Sequence, residues 1–452
     1  MDTEIELTSA AENPETGLTP AATEIELTSA AAKSIFRAPS QIRYSRESDF
    51  EPKLVSIGPY YDGRENFKRE HLEGMDHFKF RCIADLLRSR AAGSSNTDSV
   101  PTEPFMEFEL PARNFYKDEF NLPGVKFVEM LIRDSCFIIR IILSLSDHEE
   151  LSMPFLDVNI KEVRSDLLLL ENQIPLFFIW KMFDWLFGDN LQSEFETALL
   201  MFINLDMPLR TNLGGMPTNF REMSSKAAHL LDLCWILLGD QHDFEDHRFQ
   251  KEQFRWRETY ASINQSKVME NATLLHQTAG IKFKKLNSPR VNGLNVYFSN
   301  GIMRMPWLKI DSNQTTLLVN LIAFEDCIHP NKQTVSPYMK LMDALIDSAK
   351  DVELLQQCGV ISNSLSSHKM AATFFNDIGN FCLIHNNLFL FSDLYKDVQK
   401  YYNSIWNRSV AILRQKYFSN PWSYISVGAG TFLLIFAAVQ THYVVYPTHN
   451  CC

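Results

Sequence analysis

Glycine is the first shortage. The chain carries 17 glycines in 452 residues, about half the usual share of roughly 7%. That scarcity argues against folds built on glycine-rich phosphate loops or on many tight hairpins. No Walker loop, G-x-S-x-G elbow, H-E-x-x-H or kinase signature occurs. The one Gly-Ala-Gly, at Gly428–Gly430, falls inside an apolar terminal run and has no setting in which to cradle a cofactor. The 8 cysteines are scattered, with no CxxC pair and no accompanying HxxxH, so a zinc site has no support. Cys136 and Cys234 sit in apolar helical runs and read as small hydrophobes. "REHLEGMDH" offers His71, Glu73, Asp76 and His77, but six-residue spacing takes the two imidazoles off a common helical face. The reading therefore names no catalytic residue, no metal and no cofactor.

Positive charge is also short. Lys and Arg number 43 against 55 acidic residues, for a net charge of −12. No basic stripe is present, which argues against nucleic-acid binding. The N-terminus has no basic stretch followed by an apolar one, so no signal peptide is expected.

The chain divides by pattern. "TEIELTSAA" occurs at Thr3–Ala11 and again at Thr23–Ala31, with Pro, Glu and Thr between the copies, and residues 1–32 hold no Lys or Arg. Residues 1–45 read as a disordered acidic tail. Residues 46–420 read as one helical body. Helical spacing predicts a helix around Leu72–Leu87, and a helix apolar on nearly every side over Val125–Leu145, hence central. "NATLLHQTAGIKFKK" predicts a helix stopped at Gly280, and Asn300-Gly301 between two β-prone runs predicts a hairpin. Further helices are expected in "TTLLVNLIAFEDCI" and "YMKLMDALIDSAKDVELLQQCGVI". Mixed-charge residues 239–258 read as a variable linker, and Ala91–Pro104 as a flexible loop. The expected class is mainly α: a large helical globular body with a small β-hairpin and a single C-terminal transmembrane helix.

No charged residue follows Lys416. Residues 422–446 make a 25-residue run against the ~20 needed to cross a ~30 Å hydrocarbon core. Trp422 and Tyr424 stand at one end and Tyr443 and Tyr446 at the other, where interfacial aromatics belong. Arg408, Arg414 and Lys416 precede the run, which places the body on the cytosolic side and residues 447–452 across the membrane. Ser426 and Gly430 form a small-xxx-small pair that could seat a second helix, so oligomerisation stays open.

"SDLLLLENQIPLFFIW", Ser165–Trp180, is too short and too polar to span a bilayer. Pro175 disfavours a helical Ile174. Glu171, Asn172 and Gln173 are then expected to serve unpaired backbone groups where the chain turns, with Asp166 just before them. "DLLLLENQIPLFF" resembles the hallmark of the plant family known as domain of unknown function 247, whose members include UPF0481-like proteins. "LVSIGPYYDG", containing Gly58 and Pro59, and "MDHFK" resemble its entry motif. "FVEMLIRDSCFI", "ATLLHQTAGIKFK" and "LVNLIAFEDC", containing Phe324 and Glu325, resemble later blocks. Asp76 stands where the family usually has glutamate. The resemblance implies a mostly helical fold with a C-terminal transmembrane helix and no established enzymatic activity. Some grass members are linked to self-incompatibility, which implies protein recognition or signalling. The reading is a membrane-anchored plant protein that recognises another protein. The alternatives are an enzyme, hydrolase or transferase, with an unrecognised site, and a stress- or development-linked structural membrane protein.

Overall fold

The computed structural model describes residues 34–61, 70–91, 100–145, 160–188, 190–205, 207, 220–238, 269–286, 294–328, 333–382, 391–417 and 421–445. The duplicated TEIELTSAA, most of the loop 91–104, the linker 239–258, Tyr446 and residues 447–452 lie outside them. Among the described residues there are seventeen α-helices and five short strands.

The first half is a helical assembly around one buried rod. α1 is Ser40–Ser45, α2 Glu70–Ala91, α3 Glu109–Arg113 and α4 Gly124–Leu143. α5 is Ile160–Leu167, α6 Leu176–Phe187, α7 Gln192–Asn204, α8 Phe220–Lys226 and α9 Leu230–Leu238. α4 packs against α2, α6 and α7. It is buried from Phe127 to Leu143 except for Glu129 and Arg133, because apolar residues occupy nearly every position of its turns. The expected helices over Leu72–Leu87 and Val125–Leu145 are present as α2 and α4.

The second half mixes helices with two small sheets. α10, Ala272–Ala279, starts where the Asn271 side chain accepts from Leu274 N and stops at Gly280, whose φ of 69° is left-handed. β1 (Lys282–Lys285), β2 (Tyr297–Ser299) and β3 (Ile302–Met305) form a sheet in the order β1-β3-β2. β2 and β3 are the expected hairpin, with Asn300 and Gly301 at φ 50° and 72°, the left-handed pair that a two-residue turn requires. β1 adds parallel to β3, and β4 (Leu308–Ile310) pairs in parallel with β5 (Ile361–Asn363). The β content thus exceeds one hairpin. α11 (Ser312–Ile328), α12 (Val335–Leu345) and α13 (Ala349–Gln357) separate β4 from β5, and α14 (His368–Phe381), α15 (Ser392–Asn403), α16 (Ile405–Tyr417) and α17 (Pro421–Val445) follow.

One continuous apolar core runs from Ile35 to Val398 and joins both halves. The body also begins earlier than position 46. Ile35, Ala38 and Ile42 are buried, and Ser34 N and Ile35 N donate to Phe115 O. The acidic-tail reading of residues 34–45 is therefore corrected: their sparse apolar side chains fill the core, though no run of them is long enough to show as an element. Cys82, Cys136, Cys234, Cys327, Cys358 and Cys382 are free thiols, and burial pushes Cys234 up to about 11.

Candidate functional site

Two places draw the residues singled out in the sequence: the turn between α5 and α6, and the C-terminal helix.

α5 ends at Leu167, and Pro175, at φ −58° and ψ 127°, starts α6. Of the seven residues between, Asn172 N donates to Leu169 O in a single turn, and buried side chains serve other backbone groups there. Asn172 is fully buried. Its Oδ1 accepts from Ile57 N at 2.7 Å, and its Nδ2 donates to Val55 O at 3.0 Å and Asp166 O at 2.9 Å. Gln173 Nε2 donates to Leu167 O and Leu169 O, and its Oε1 accepts from Leu231 N. Asp166 accepts from Lys53 N, Leu54 N and Val55 N. Burial pushes the Asp166 carboxyl up despite those three N–H groups, which act in the other direction. Glu171, fully buried, accepts from Ala38 N at 3.0 Å, from the Tyr61 hydroxyl at 3.3 Å and from the Arg43 guanidinium.

Gln173 ties the turn to itself and to α9, whereas the side chains of Asp166, Glu171 and Asn172 reach one distant partner: the largely irregular segment 34–61. Its backbone N–H groups have few helical or sheet partners, and the turn's side chains supply acceptors in their place. Gly58 shows the tightness. At φ 68° its position is left-handed, and a Cβ there would stand 2.5 Å from Gln173 O. Gly58 N donates to Asp134 Oδ2, and Pro59 is buried beside it.

Lys79, Asp134 and Asn320, missed as singles, complete this frame together with Phe324 and Glu325. Asp134 of α4 pairs with Lys79 of α2 at 2.7 Å, both buried, and Lys79 Nζ also donates to Ser56 O. Asn320 of α11 accepts from Leu170 N and donates to Asp49 O. Glu325 accepts from Trp235 Nε1, Thr334 N, Val335 N and Ser336 N. It thus caps α12, whose own Thr334 does not. Phe324 meets the rings of His229 and Trp235 edge-on. Lys79 and Asp134 lie inside sequence blocks already noted, "MDHFK" and "FVEMLIRDSCFI", so a charge placed amid apolar helix was the available signal. Chemically, Asp166, Glu171 and Glu325 are occupied by backbone amides and fixed side chains, which is scaffold work. Among the described residues no group of three or more His, Cys, Asp or Glu is arranged to hold a metal.

The C-terminal helix has the opposite character. α17 is 25 residues long, about 37 Å at 1.5 Å per residue, against a ~30 Å hydrocarbon core. Ile425–His442 is apolar enough to cross a membrane, and none of it is buried against the body. Its hydroxyls turn inward: Ser426 Oγ donates to Trp422 O, Thr431 Oγ1 to Val427 O and Thr441 Oγ1 to Ala437 O. That pattern satisfies polar groups without help from neighbours. Trp422, Tyr424 and Tyr443 lie within α17, with Trp422 exposed at its start.

The family model for DUF247, described as a plant protein of unknown function, matches residues 35–436. The chain is 26% identical to the UPF0481 protein At3g47200 of Arabidopsis thaliana, over 90% of this chain and 85% of that one. It is 22% identical to the putative UPF0481 protein At3g02645 of the same plant, over 92% and 90% respectively. No solved structure matches. With the match beginning at the buried Ile35 and reaching into α17, the chain belongs to the DUF247 family of plant proteins of unknown function.

Proposed function

We propose that the chain is a non-enzymatic, membrane-anchored protein whose helical body recognises another protein on the cytosolic face of a plant membrane. One observation carries the anchoring: α17 leaves Ile425–His442 unburied while Ser426, Thr431 and Thr441 settle their hydroxyls on its own backbone. A helix of that kind has no stable place in water. Orientation rests on Arg408, Arg414 and Lys416 before the span and the lack of any charged residue after it. The non-enzymatic reading is supported by the buried carboxylates: Asp134, Asp166 and Glu171 are occupied in joining segment 34–61 to the helices, and Glu325 in capping α12. The family resemblance to grass proteins of self-incompatibility makes recognition of self in reproduction the sharpest form of the proposal.

Protease treatment of sealed plant microsomes containing the full chain tests the anchored, cytosol-facing body. The body should be digested without detergent, and Asn264 and Asn313 should carry no glycan. A body protected until detergent is added, with glycans at those sites, would reverse the orientation.

A further inference from the structure

One cavity lies next to the span, and its charge runs against that of the chain. It measures about 540 Å³ and sits between the end of α10, the β2–β3 turn and one face of α16. That volume is within the range of sites that hold small ligands. Lys282 of β1 and Arg414 of α16 line it, with His276, Asn300, Trp406 and Asn407, and no Asp or Glu is among its lining residues. Both cations are exposed, and neither has a carboxylate partner among the described residues. In a chain of net charge −12, two unneutralised cations facing one cavity point to an anionic ligand.

Neighbouring groups add to the same sign. Lys282 and Lys284 occupy one face of β1, and Arg304, registered against Lys284, shares that face on β3. Trp406 and Asn407 reach the cavity from the first turn of the 13-residue α16, where backbone N–H groups carry partial positive charge. The indole and side-chain amides add the amphipathic contacts a headgroup and its glycerol would meet.

Position selects the source of the anion. Away from the cavity, α16 exposes Ile405 at 83%, Ile412 at 46% and Leu413 at 49%. These lie beside Arg408 and Arg414, the composition of a helix that rests in a membrane interface. From Arg414, three helical residues and the link 418–420 lead to Pro421. That tether spans at most about 20 Å, at 1.5 Å per helical residue and ~3.6 Å per extended one. The cavity mouth is therefore held within reach of the headgroup layer of whichever bilayer α17 crosses.

We propose that this cavity binds the phosphorylated headgroup of an anionic phospholipid, with Lys282 and Arg414 as its phosphate contacts and α16 lying against the bilayer surface. The proposal rests on α17 spanning the membrane. The test uses the full chain, solubilised in mild detergent and exposed to a mixture of phosphatidylcholine, phosphatidylserine and phosphatidylinositol bisphosphate. Native mass spectrometry reads the retained lipid. At least five-fold enrichment of an anionic lipid over phosphatidylcholine is expected, falling to parity in the double variant Lys282→Glu/Arg414→Glu with an unchanged melting temperature. If charge reversal disturbs folding, Lys282→Gln/Arg414→Gln carries the same expectation. No enrichment in the wild type, or enrichment that survives both variants, overturns the proposal. So does inositol trisphosphate that binds as tightly as the lipid and displaces it, since the ligand is then a soluble phosphate. Alkaline carbonate extraction of the same wild-type membranes separates the failures. A chain that washes out has lost the spanning helix itself, whereas a chain that stays without lipid preference has lost only the headgroup site.

Discussion

α4 and α17 are both long, apolar helices, and their surroundings differ completely. α4 is sunk in the body with Asp134 and Arg140 among its buried residues, and Asp134 is tied to Lys79 and Gly58 N. α17 has no Asp, Glu, Lys or Arg, and its three hydrogen-bonded hydroxyls answer to its own backbone. The difference lies in where polar groups look for partners. α4 carries charge that only fixed protein neighbours satisfy, so it has one place in one fold. The hydroxyls of Ser426, Thr431 and Thr441 in α17 ask nothing of other side chains, which suits a solvent that offers no hydrogen bonds. The 34–61 segment extends the lesson: it is held through buried Asp, Glu and Asn side chains, and apolar packing alone would leave its N–H groups without acceptors.

This contrast predicts unequal responses to substitution. The largest effect is expected from Glu171→Ala, which strands the Arg43 guanidinium and Ala38 N. Ala38 N, the Tyr61 hydroxyl and the half-buried Arg43 all lose this acceptor, at roughly 1–3 kcal/mol for each buried donor left unpaired, a large share of the 5–15 kcal/mol that holds a domain folded. Thermal unfolding should show a sharply lowered melting temperature, and an unchanged one would break the account of the frame. Next, Leu434→Arg in the middle of α17 should cost about 2.5–3.5 kcal/mol of membrane insertion. Membrane recovery should fall while the body's melting temperature holds.

A pH effect comes third. His229 is buried, its Nε2–H donating to Ser34 O and its Nδ1 accepting from Asp232 N, and burial lowers its pKa to about 4. Desolvation pushes the half-buried Asp232 up to about 6. The unfolded chain protonates His229 near 6.5 while the folded body does so only near 4. Its contribution is thus complete above pH 6.5 and lost as pH falls through that window. Asp232 works in reverse, because its folded form takes a proton near 6 and its unfolded form only near 3.8, so it adds stability as pH falls. The two largely cancel. Asp232→Asn keeps an acceptor for Ala228 N and removes the compensation, so stability should drop by about 2 kcal/mol between pH 6.5 and 4.5, at roughly 1.4 kcal/mol per unit. Denaturant melts across that range check it, and a flat profile in the variant would contradict the pairing. The smallest effect is Leu434→Ser on the body's stability, expected within about 0.5 kcal/mol because α17 contributes nothing to the core.

Legibility followed the range of the interactions. The Gly280 stop and the Asn300-Gly301 turn were readable because a left-handed backbone constrains the residue that adopts it. The parallel partners β1–β3 and β4–β5 were not, since their pairing joins segments across loops and helices. "YMKLMDALIDSAKDVELLQQCGVI" is broken at Ser348, where Asp351 completes a capping box. That break was present as Ser-x-x-Asp and was passed over within a helical period. Residues 34–45 read as tail because Ile35, Phe36, Ala38 and Ile42 are few and irregularly spaced, yet they fill gaps between distant helices. At the α5–α6 turn the polar trio and Pro175 marked a break. Its recipients, the N–H groups of residues 38, 53–55 and 57, lie more than a hundred residues away and leave no local trace.

The most direct measurement of the central claim is an alkaline carbonate wash of membranes from plant cells expressing either the full chain or a version ending at Tyr417. The account predicts the full chain in the pellet and the shortened one, folded with the same melting temperature, in the supernatant. A full chain released by carbonate, or a shortened chain that stays in the pellet, would contradict it.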